Sequence, residues 1–368
     1  MGPLSASALP WIATALLFGC LQQPGGSMTL PDAAADRPAD RFTGAPDAPD
    51  TTDGAGGAID GAASDATSGN PAFSWAIRAP LPIPRTDYGV AVVAGKIYVL
   101  GGFSGSVLAR VDEYDPNANA WTAKADLPRA RRGLAVGVAN GKIYATAGTS
   151  WTDPNAVTYI NDTVEYDPAS DRWTARAPFP MAPPFNQVLG NDAQGGAAVN
   201  DRLYVVEFNS NTPSFTSTRE YDPGTDSWTN KSPIPFDWPG FAATALNGRL
   251  YVFASYLELM GGRLAYYSPA DDLWIIRSSM PQVGNPGFVA ANGKLYTLGG
   301  RSGPASGLGV TDAIYEYDPV TDAWSPRGQL SRPRQSPGAA EVGGHVFVMG
   351  GSAPDGTPLE LVEEGIPR

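Results

Sequence analysis

The sequence predicts an all-β chain folded as a six-bladed β-propeller, its last blade closed by the N-terminal strand. Three observations predict it. Tryptophans recur at a nearly constant interval, at Trp75, Trp121, Trp173, Trp228, Trp274 and Trp324, in steps of 46 to 55 residues. Five of the six have a tyrosine seven residues upstream: Tyr114, Tyr166, Tyr221, Tyr267 and Tyr317. The first tryptophan lacks that partner, and the last repeat lacks a tryptophan, so the two ends complement one another. A self-similar period of about 40–50 residues marks a repeat architecture.

The elements of one unit follow from its residues. The best copy reads GVAVVAGKIYVLGG (89–102), then VDEYDPNANAW (111–121); the fifth reads FVAANGKLYTLGG (288–300), then IYEYDPVTDAW (314–324). A first strand of small and apolar residues runs into an Ala-Gly, Asn-Gly or Gly-Gly pair, a hairpin signal because both positions accept φ > 0. A second strand, Lys96 to Leu100 or Lys294 to Leu298, stops at a glycine pair. The third ends in Tyr-Asp-Pro, residues suited to the first positions of a type I turn. The tryptophan then opens a fourth strand. Four short antiparallel strands repeated radially make a propeller blade.

The glycine pair, the Tyr-Asp-Pro and the tryptophan seven residues after the tyrosine closely resemble the kelch repeat over residues 73–368. The resemblance implies glycines where backbones approach closely and an aromatic pair packed between neighbouring blades. Those aromatics therefore read as core.

Five complete units carry the tryptophans at 121, 173, 228, 274 and 324. A sixth begins near Arg334 with SPGAAEVGGHVFVMGG (336–351) and reaches LVEEGIP (361–367), with Gly365 at the tyrosine position. The missing strand is supplied by FSWAIRAPLP (73–82), which closes the ring and removes exposed sheet edges at the seam.

Residues 1–72 read differently. ALPWIATALLFG (8–19) is apolar but too short to span a bilayer, so residues 1–19 are expected to be a secretory signal. Leu17-Phe18-Gly19-Cys20 resembles the lipobox of bacterial lipoproteins, which implies acylation of Cys20, the sole cysteine. No Lys or Arg precedes Cys20, a departure from the usual signal; the alternative is an ordinary cleaved signal with an incidental cysteine. Residues 20–72 are dominated by Ala, Asp, Gly, Pro, Ser and Thr and read as a flexible tether. Eight aspartates between 31 and 70, against Arg37 and Arg41, place half of the formal charge of −12 there. Nucleic acid, which needs a basic face, is not expected as a partner. The expected location is the bacterial cell envelope, across the inner membrane, on a lipid anchor at Cys20.

The loop before the first strand and the loop between the second and third strands open on one end of a propeller. Thirteen residues before the second-strand aromatic, the blades hold Arg85, Arg131, Asn191, Trp238, Val283 and Arg334 in turn. With the ring closed, the blades of Arg334, Arg85 and Arg131 are consecutive, and Arg301 after Gly299-Gly300 reaches the same end. Guanidiniums gathered on one sector suit carboxylates or phosphates; alternatively they pair with acidic neighbours and join the blades. Arginine at this loop is common in kelch sequences, and in some of them it binds acidic ligands. Trp238 can offer a flat ring to a sugar or a side chain. Glu207-Phe208 and Ala254-Ser255 replace the glycine pair in the third and fourth units, and such broken rules concentrate at functional sites. The loop TSWTDPNAVTYIND (149–162) is longer than its counterparts and carries Trp151 and Tyr159, a candidate contact arm.

One histidine, His345, and one cysteine exclude the copper site of kelch-type oxidases and a His/Cys zinc site. A Ser-His-Asp triad and a phosphate-binding glycine loop are also missing, and no calcium-loop spacing matches. No metal and no cofactor are expected. Two functions fit. One is a surface-tethered, monomeric module that binds a protein, a glycan or another anionic ligand on its loops. The other resembles the sialic-acid mutarotases and epimerases, with Glu207 as acid/base and Arg85, Arg131 and Arg334 as a carboxylate clamp.

Overall fold

A computed structural model describes residues 73–153, 156–180, 195–208, 216–235, 240–254, 262–280, 283–303 and 309–367. The expected signal, Cys20 and the tether lie outside the described residues, as does Trp238. Every regular element described is a strand. The first strand among the described residues is β1 (Phe73–Ile77). Blade I holds β2 (Gly89–Val93), β3 (Lys96–Leu100), β4 (Val111–Asp115) and β5 (Ala120–Lys124). Blade II holds β6 (Ala135–Ala139), β7 (Lys142–Thr146), a hairpin of β8 (Thr149–Asp153) and β9 (Ala156–Tyr159), then β10 (Thr163–Asp167) and β11 (Arg172–Arg176). Blade III holds β12 (Gly195–Val199), β13 (Arg202–Phe208), β14 (Thr216–Asp222) and β15 (Ser227–Lys231). Blade IV holds β16 (Phe241–Leu246), β17 (Arg249–Ala254), β18 (Arg263–Ser268) and β19 (Leu273–Ile276). Blade V holds β20 (Gly287–Ala291), β21 (Lys294–Ser302), β22 (Gly309–Asp318) and β23 (Ala323–Gln329). Blade VI holds β24 (Gly338–Val342), β25 (His345–Met349) and β26 (Val362–Pro367).

The sixth sheet runs β1-β26-β25-β24, so the N-terminal strand does complete the C-terminal blade. Inner strands touch in sequence, β2 to β6, β12, β16, β20 and β24, and β24 returns to β2. That closure makes the propeller six-bladed. The first hairpin of each blade turns as its residues require: Asn140 and Gly141 take φ of 51° and 70°, and Asn292 and Gly293 take 49° and 74°. The glycine pair has a steric reason as well. Gly101 has φ of 65°, and a Cβ there would lie 2.5 Å from the Arg131 carbonyl oxygen of the next blade. Blade V departs from expectation: β21 runs on through Gly299-Gly300 to Ser302, with a bulge between Leu298 and Gly300.

The recurring aromatics sit between blades, as the resemblance implied. Tyr98 of blade I meets Tyr166 of blade II at 5.9 Å between ring centroids, Tyr144 meets Tyr221 at 5.6 Å, and Tyr204 meets Tyr267 at 5.6 Å. Five of the six repeat tryptophans, all but Trp75, do a second job. Trp173 donates its indole N–H to the Ala125 carbonyl at 2.9 Å, while Asp171 accepts the Ala125 amide at 2.9 Å and the Tyr166 hydroxyl at 2.6 Å. Both polar groups of one preceding-blade residue are thus gripped. The same clamp recurs with Trp121 and Asn119 on Ala79, Trp228 and Asp226 on Ala177, Trp274 and Asp272 on Ser232, and Trp324 and Asp322 on Ser278.

Candidate binding face

In blades I, II, V and VI the loop preceding the first strand and the segment at or just after the end of the second strand are tied together by backbone. Thr86 pairs with Phe103, Arg132 with Thr149, Gly284 with Arg301 and Gln335 with Ser352. The two loop sets therefore share one end of the ring. Arg301, half-buried, lies there as expected, its amide 2.7 Å from the Gly284 carbonyl. Asn191 and Trp238, at the equivalent positions of blades III and IV, fall outside the described residues.

Arg85, Arg131 and Arg334 do occupy consecutive blades, but each is 0% exposed, and this corrects their reading as a ligand patch. Arg85 pairs with the buried Asp112 of its own third strand and donates to the Gly101 and Arg110 carbonyls at 3.3 Å. Arg334 pairs with the buried Glu363 and donates to the Leu361 carbonyl at 3.3 Å. Arg131 sits 2.6 Å from Asp162 and donates to the Ala147 carbonyl at 3.3 Å. Burial pulls the Arg131 and Arg334 guanidiniums below their usual range, against the opposing pull of Asp162 on Arg131. These arginines pair with acidic neighbours, as the second of the two readings held, but the partners lie in the same blade, so their side chains tie the loops of one blade together instead of joining adjacent blades.

Blade III inverts this arrangement. Asp112 faces Val99 and Glu363 faces Val348 in the strand register; the equivalent residue, facing Val205, is Arg219. Arg219 donates to Glu207 at 3.4 Å, and Ser217 donates to the same carboxylate. Glu207 is 7% exposed, and burial raises its pKa against the opposing pull of Ser217 and Arg219. It shares its strand face with Leu203 and Val205, which pack with Ala135 and Tyr144 of blade II. Glu207 therefore belongs to the seam between blades II and III and faces none of the three arginines.

The contact arm is a hairpin. Strands β8 and β9 set Trp151 opposite Val157 and Thr149 opposite Tyr159. The Arg132 guanidinium lies 4.7 Å from the Trp151 ring centroid and 5.8 Å from that of Phe103, and the two rings are 5.7 Å apart. Arg132 also pairs with Asp87 at 3.2 Å. Arg132, Phe103 and Asp87 were not singled out from sequence. Arg132 had one signal, its place directly after Arg131, but its role depends on a hairpin folding back over it.

The inner strands enclose a central channel of about 290 Å³ lined mostly by Ala, Val and Gly, with Thr244 and Glu341 its polar side chains. His345, half-buried, pairs with Glu364, which also holds Arg78.

Three segments, residues 84–128, 130–180 and 284–331, match the family model for the Kelch motif; they are blades I, II and V. The chain is 26% identical over 185 residues to Kelch-like protein 35 of Mus musculus, covering 50% of this chain and 30% of that protein. It is 31% identical over 116 residues to Kelch-like protein 24 of Rattus norvegicus, covering 31% and 18%. Against Kelch-like protein 21 of Rattus norvegicus it is 36% identical over 117 residues, covering 31% and 18%. The matched region thus spans less than a third of each relative. A solved structure titled "Structure of YjhT" superposes with a TM-score of 0.63 at 16% identity, covering 77% of this chain and 95% of that one, which supports the fold.

Proposed function

We propose that this kelch-repeat propeller is a binding module, held in the cell envelope by a lipidated Cys20, that takes a protein or glycan partner on its loop-bearing end. One observation carries the reading: the blade II hairpin holds Trp151 over Arg132 and Phe103, a preassembled aromatic and cationic surface beside the ring mouth. Aromatic rings contribute large contact area at low conformational cost, and Arg132, itself paired with Asp87, holds the Trp151 and Phe103 rings together. The tether reading rests on sequence alone. Its test is metabolic labelling with a fatty acid, where Cys20→Ser should abolish incorporation and release the protein from membranes.

The binding test places wild-type chain and Trp151→Ala on arrays of anionic and neutral glycans, with a photo-crosslinker at Val157 for protein partners. A partner retained by wild type and lost by Trp151→Ala is expected. Retention unchanged in both Trp151→Ala and Arg132→Ala would overturn this face as the site.

The carbohydrate-active alternative keeps one supporting observation, the raised pKa of Glu207, a property suited to general acid/base work. Against it stand the burial of Glu207 and the internal pairing of Arg85, Arg131 and Arg334. Anomer exchange of N-acetylneuraminic acid followed by NMR, accelerated by wild type and not by Glu207→Gln, would restore it.

A further inference from the structure

The blades are internal controls for one another, because the same repeat built each of them. In blades I, II, III and V the third strand sets a glutamate opposite the second-strand tyrosine: Glu113 faces Tyr98, Glu165 faces Tyr144, Glu220 faces Tyr204 and Glu316 faces Tyr296. Each glutamate accepts that tyrosine's hydroxyl at 2.5 to 2.7 Å. The cation that opens the second strand pairs with the aspartate that ends the third, as in Lys96–Asp115, Lys142–Asp167, Arg202–Asp222 and Lys294–Asp318. Blade VI has Phe347 in place of the tyrosine and gives Glu364 to His345 and Arg78. These groups lie at the end of the ring that carries the first hairpins, opposite the loop-bearing end.

Blade IV keeps the donors and drops both acids. Tyr266 stands opposite Tyr251 where the glutamate would be, and Ser268 ends β18 where the aspartate would be. The Tyr251 and Tyr266 rings are 5.4 Å apart and only 2% and 8% exposed. Neither hydroxyl has a hydrogen-bond partner among the described residues. Arg249, exposed at the start of β17, lies 4.4 Å from the Tyr266 ring centroid and has no carboxylate partner among the described residues. The neighbouring charges are already engaged. Arg277 is held by the Tyr317 hydroxyl, the Pro319 carbonyl and Asp322. Asp322 accepts the Ser278 amide and the Tyr317 hydroxyl, and Asp271 accepts the Ser268 hydroxyl. A hydroxyl on a buried ring is costly to leave without a partner, and a guanidinium stacked on a ring without an acid keeps its N–H groups for an acceptor. We infer that blade IV binds a carboxylate from outside the chain, held by Arg249 and the hydroxyls of Tyr251 and Tyr266 in place of the missing glutamate. Carboxylate is the chemistry the other blades specify, since theirs is the group that receives a tyrosine hydroxyl at this register. The site uses no residue of the loop-bearing end.

The test uses the full chain, with sodium acetate as probe and sodium chloride at equal ionic strength as reference. Wild type should melt at a higher temperature in acetate, and the acetate methyl resonance should show saturation transfer from the protein. Tyr266→Glu, which restores the residue of blades I, II, III and V, should abolish both responses because the carboxylate is then built in. Arg249→Ala should weaken acetate binding about tenfold or more, and Tyr251→Phe several-fold. Lys96→Ala, which removes the equivalent but already paired cation of blade I, should leave binding unchanged. A short peptide whose one charge is an internal glutamate identifies the source. Tighter binding than acetate makes the carboxylate that of a protein side chain; equal or weaker binding makes it a small free acid. No response to either probe overturns the inference. So does a response that survives in Tyr266→Glu, or phosphate binding more tightly than acetate.

Discussion

Arg219 donates to Glu207 across 3.4 Å from the strand position that Asp112 fills in blade I, so the ion pair of blade III has its charges transposed. In blade I the cation comes from the loop before the first strand and the anion from the third strand. In blade III the cation has moved to the third strand, and the anion stands in place of a glycine. The buried pair, more than either residue, is what the blade retains.

The first prediction follows from that pair. Removing one partner of a buried ion pair leaves an uncompensated charge, which costs about 3–5 kcal/mol. Asp112→Ala should therefore destabilise the propeller by about that amount in urea unfolding, with Arg85 stranded at 0% exposure. Arg85→Met combined with Asp112→Leu should recover most of the loss, because no buried charge remains. A double variant as unstable as Asp112→Ala would contradict the argument.

How much of this could be read beforehand follows from where each partner lies in the chain. Tryptophans, tyrosines and Asn-Gly pairs recur in register, so blade number and closure were legible. The fate of the arginines was not. Asp112 lies 27 residues after Arg85 and Glu363 lies 29 after Arg334, and only strand pairing brings them together. Glu207 was rightly singled out as breaking the glycine rule. Its purpose became visible only through Arg219, whose register position cannot be seen without the paired strands. Arg132 escaped notice because its rings come from Phe103 of blade I and from the folded-back hairpin.

Alkaline unfolding should report on Tyr88. Its hydroxyl donates to the Met349 carbonyl at 2.6 Å and accepts the Gly338 amide at 2.9 Å, stitching blade I to blade VI. Burial pushes its pKa from 10.0 up to about 12. The folded state thus holds the proton more tightly than the unfolded chain does. The stabilisation is complete below pH 10 and is lost as pH climbs to about 12, an effect of order 2 kcal/mol. Tyr88→Phe should be less stable at pH 7 and show a shallower decline over that window. Equal slopes for variant and wild type would remove Tyr88 from the explanation.

Acid unfolding should report on the clamps. Hydrogen bonds from Tyr166 to Asp171, from the Ala177 amide to Asp226 and from Tyr267 to Asp272 hold these carboxyls below their usual 3.8. Folded pKa values below the unfolded ones stabilise above about pH 4, and that contribution disappears as pH falls through the folded values. Blade I already uses Asn119 at this position, with φ of 50° against 53° for Asp171, so asparagine fits the left-handed backbone. Replacing Asp171, Asp226 and Asp272 together by Asn should lower melting modestly at pH 7, where the carboxylates contribute, and make it less sensitive to acid. If melting temperature still falls as steeply between pH 4 and pH 2, carboxylates elsewhere drive acid unfolding.

The seam between blades V and VI should tolerate what the other seams do not. Blade VI has Gly365 where the others have tyrosine, and the Trp75 ring fills the vacated space: a Cβ on Gly365 would meet it at 2.6 Å. Trp75 stacks on Phe73 at 5.0 Å, and its buried indole N–H has no hydrogen-bond partner. Trp173, by contrast, donates to Ala125 at 2.9 Å. Both lose ring area when changed to phenylalanine, but Trp173→Phe also leaves a carbonyl without its donor. Trp75→Phe instead removes an unsatisfied polar atom, which is close to neutral or favourable. The expected order is therefore Trp173→Phe less stable than Trp75→Phe by about 1–3 kcal/mol in parallel urea titrations. The reverse order would mean that the indole of Trp75 holds the ring closed through contacts other than hydrogen bonding.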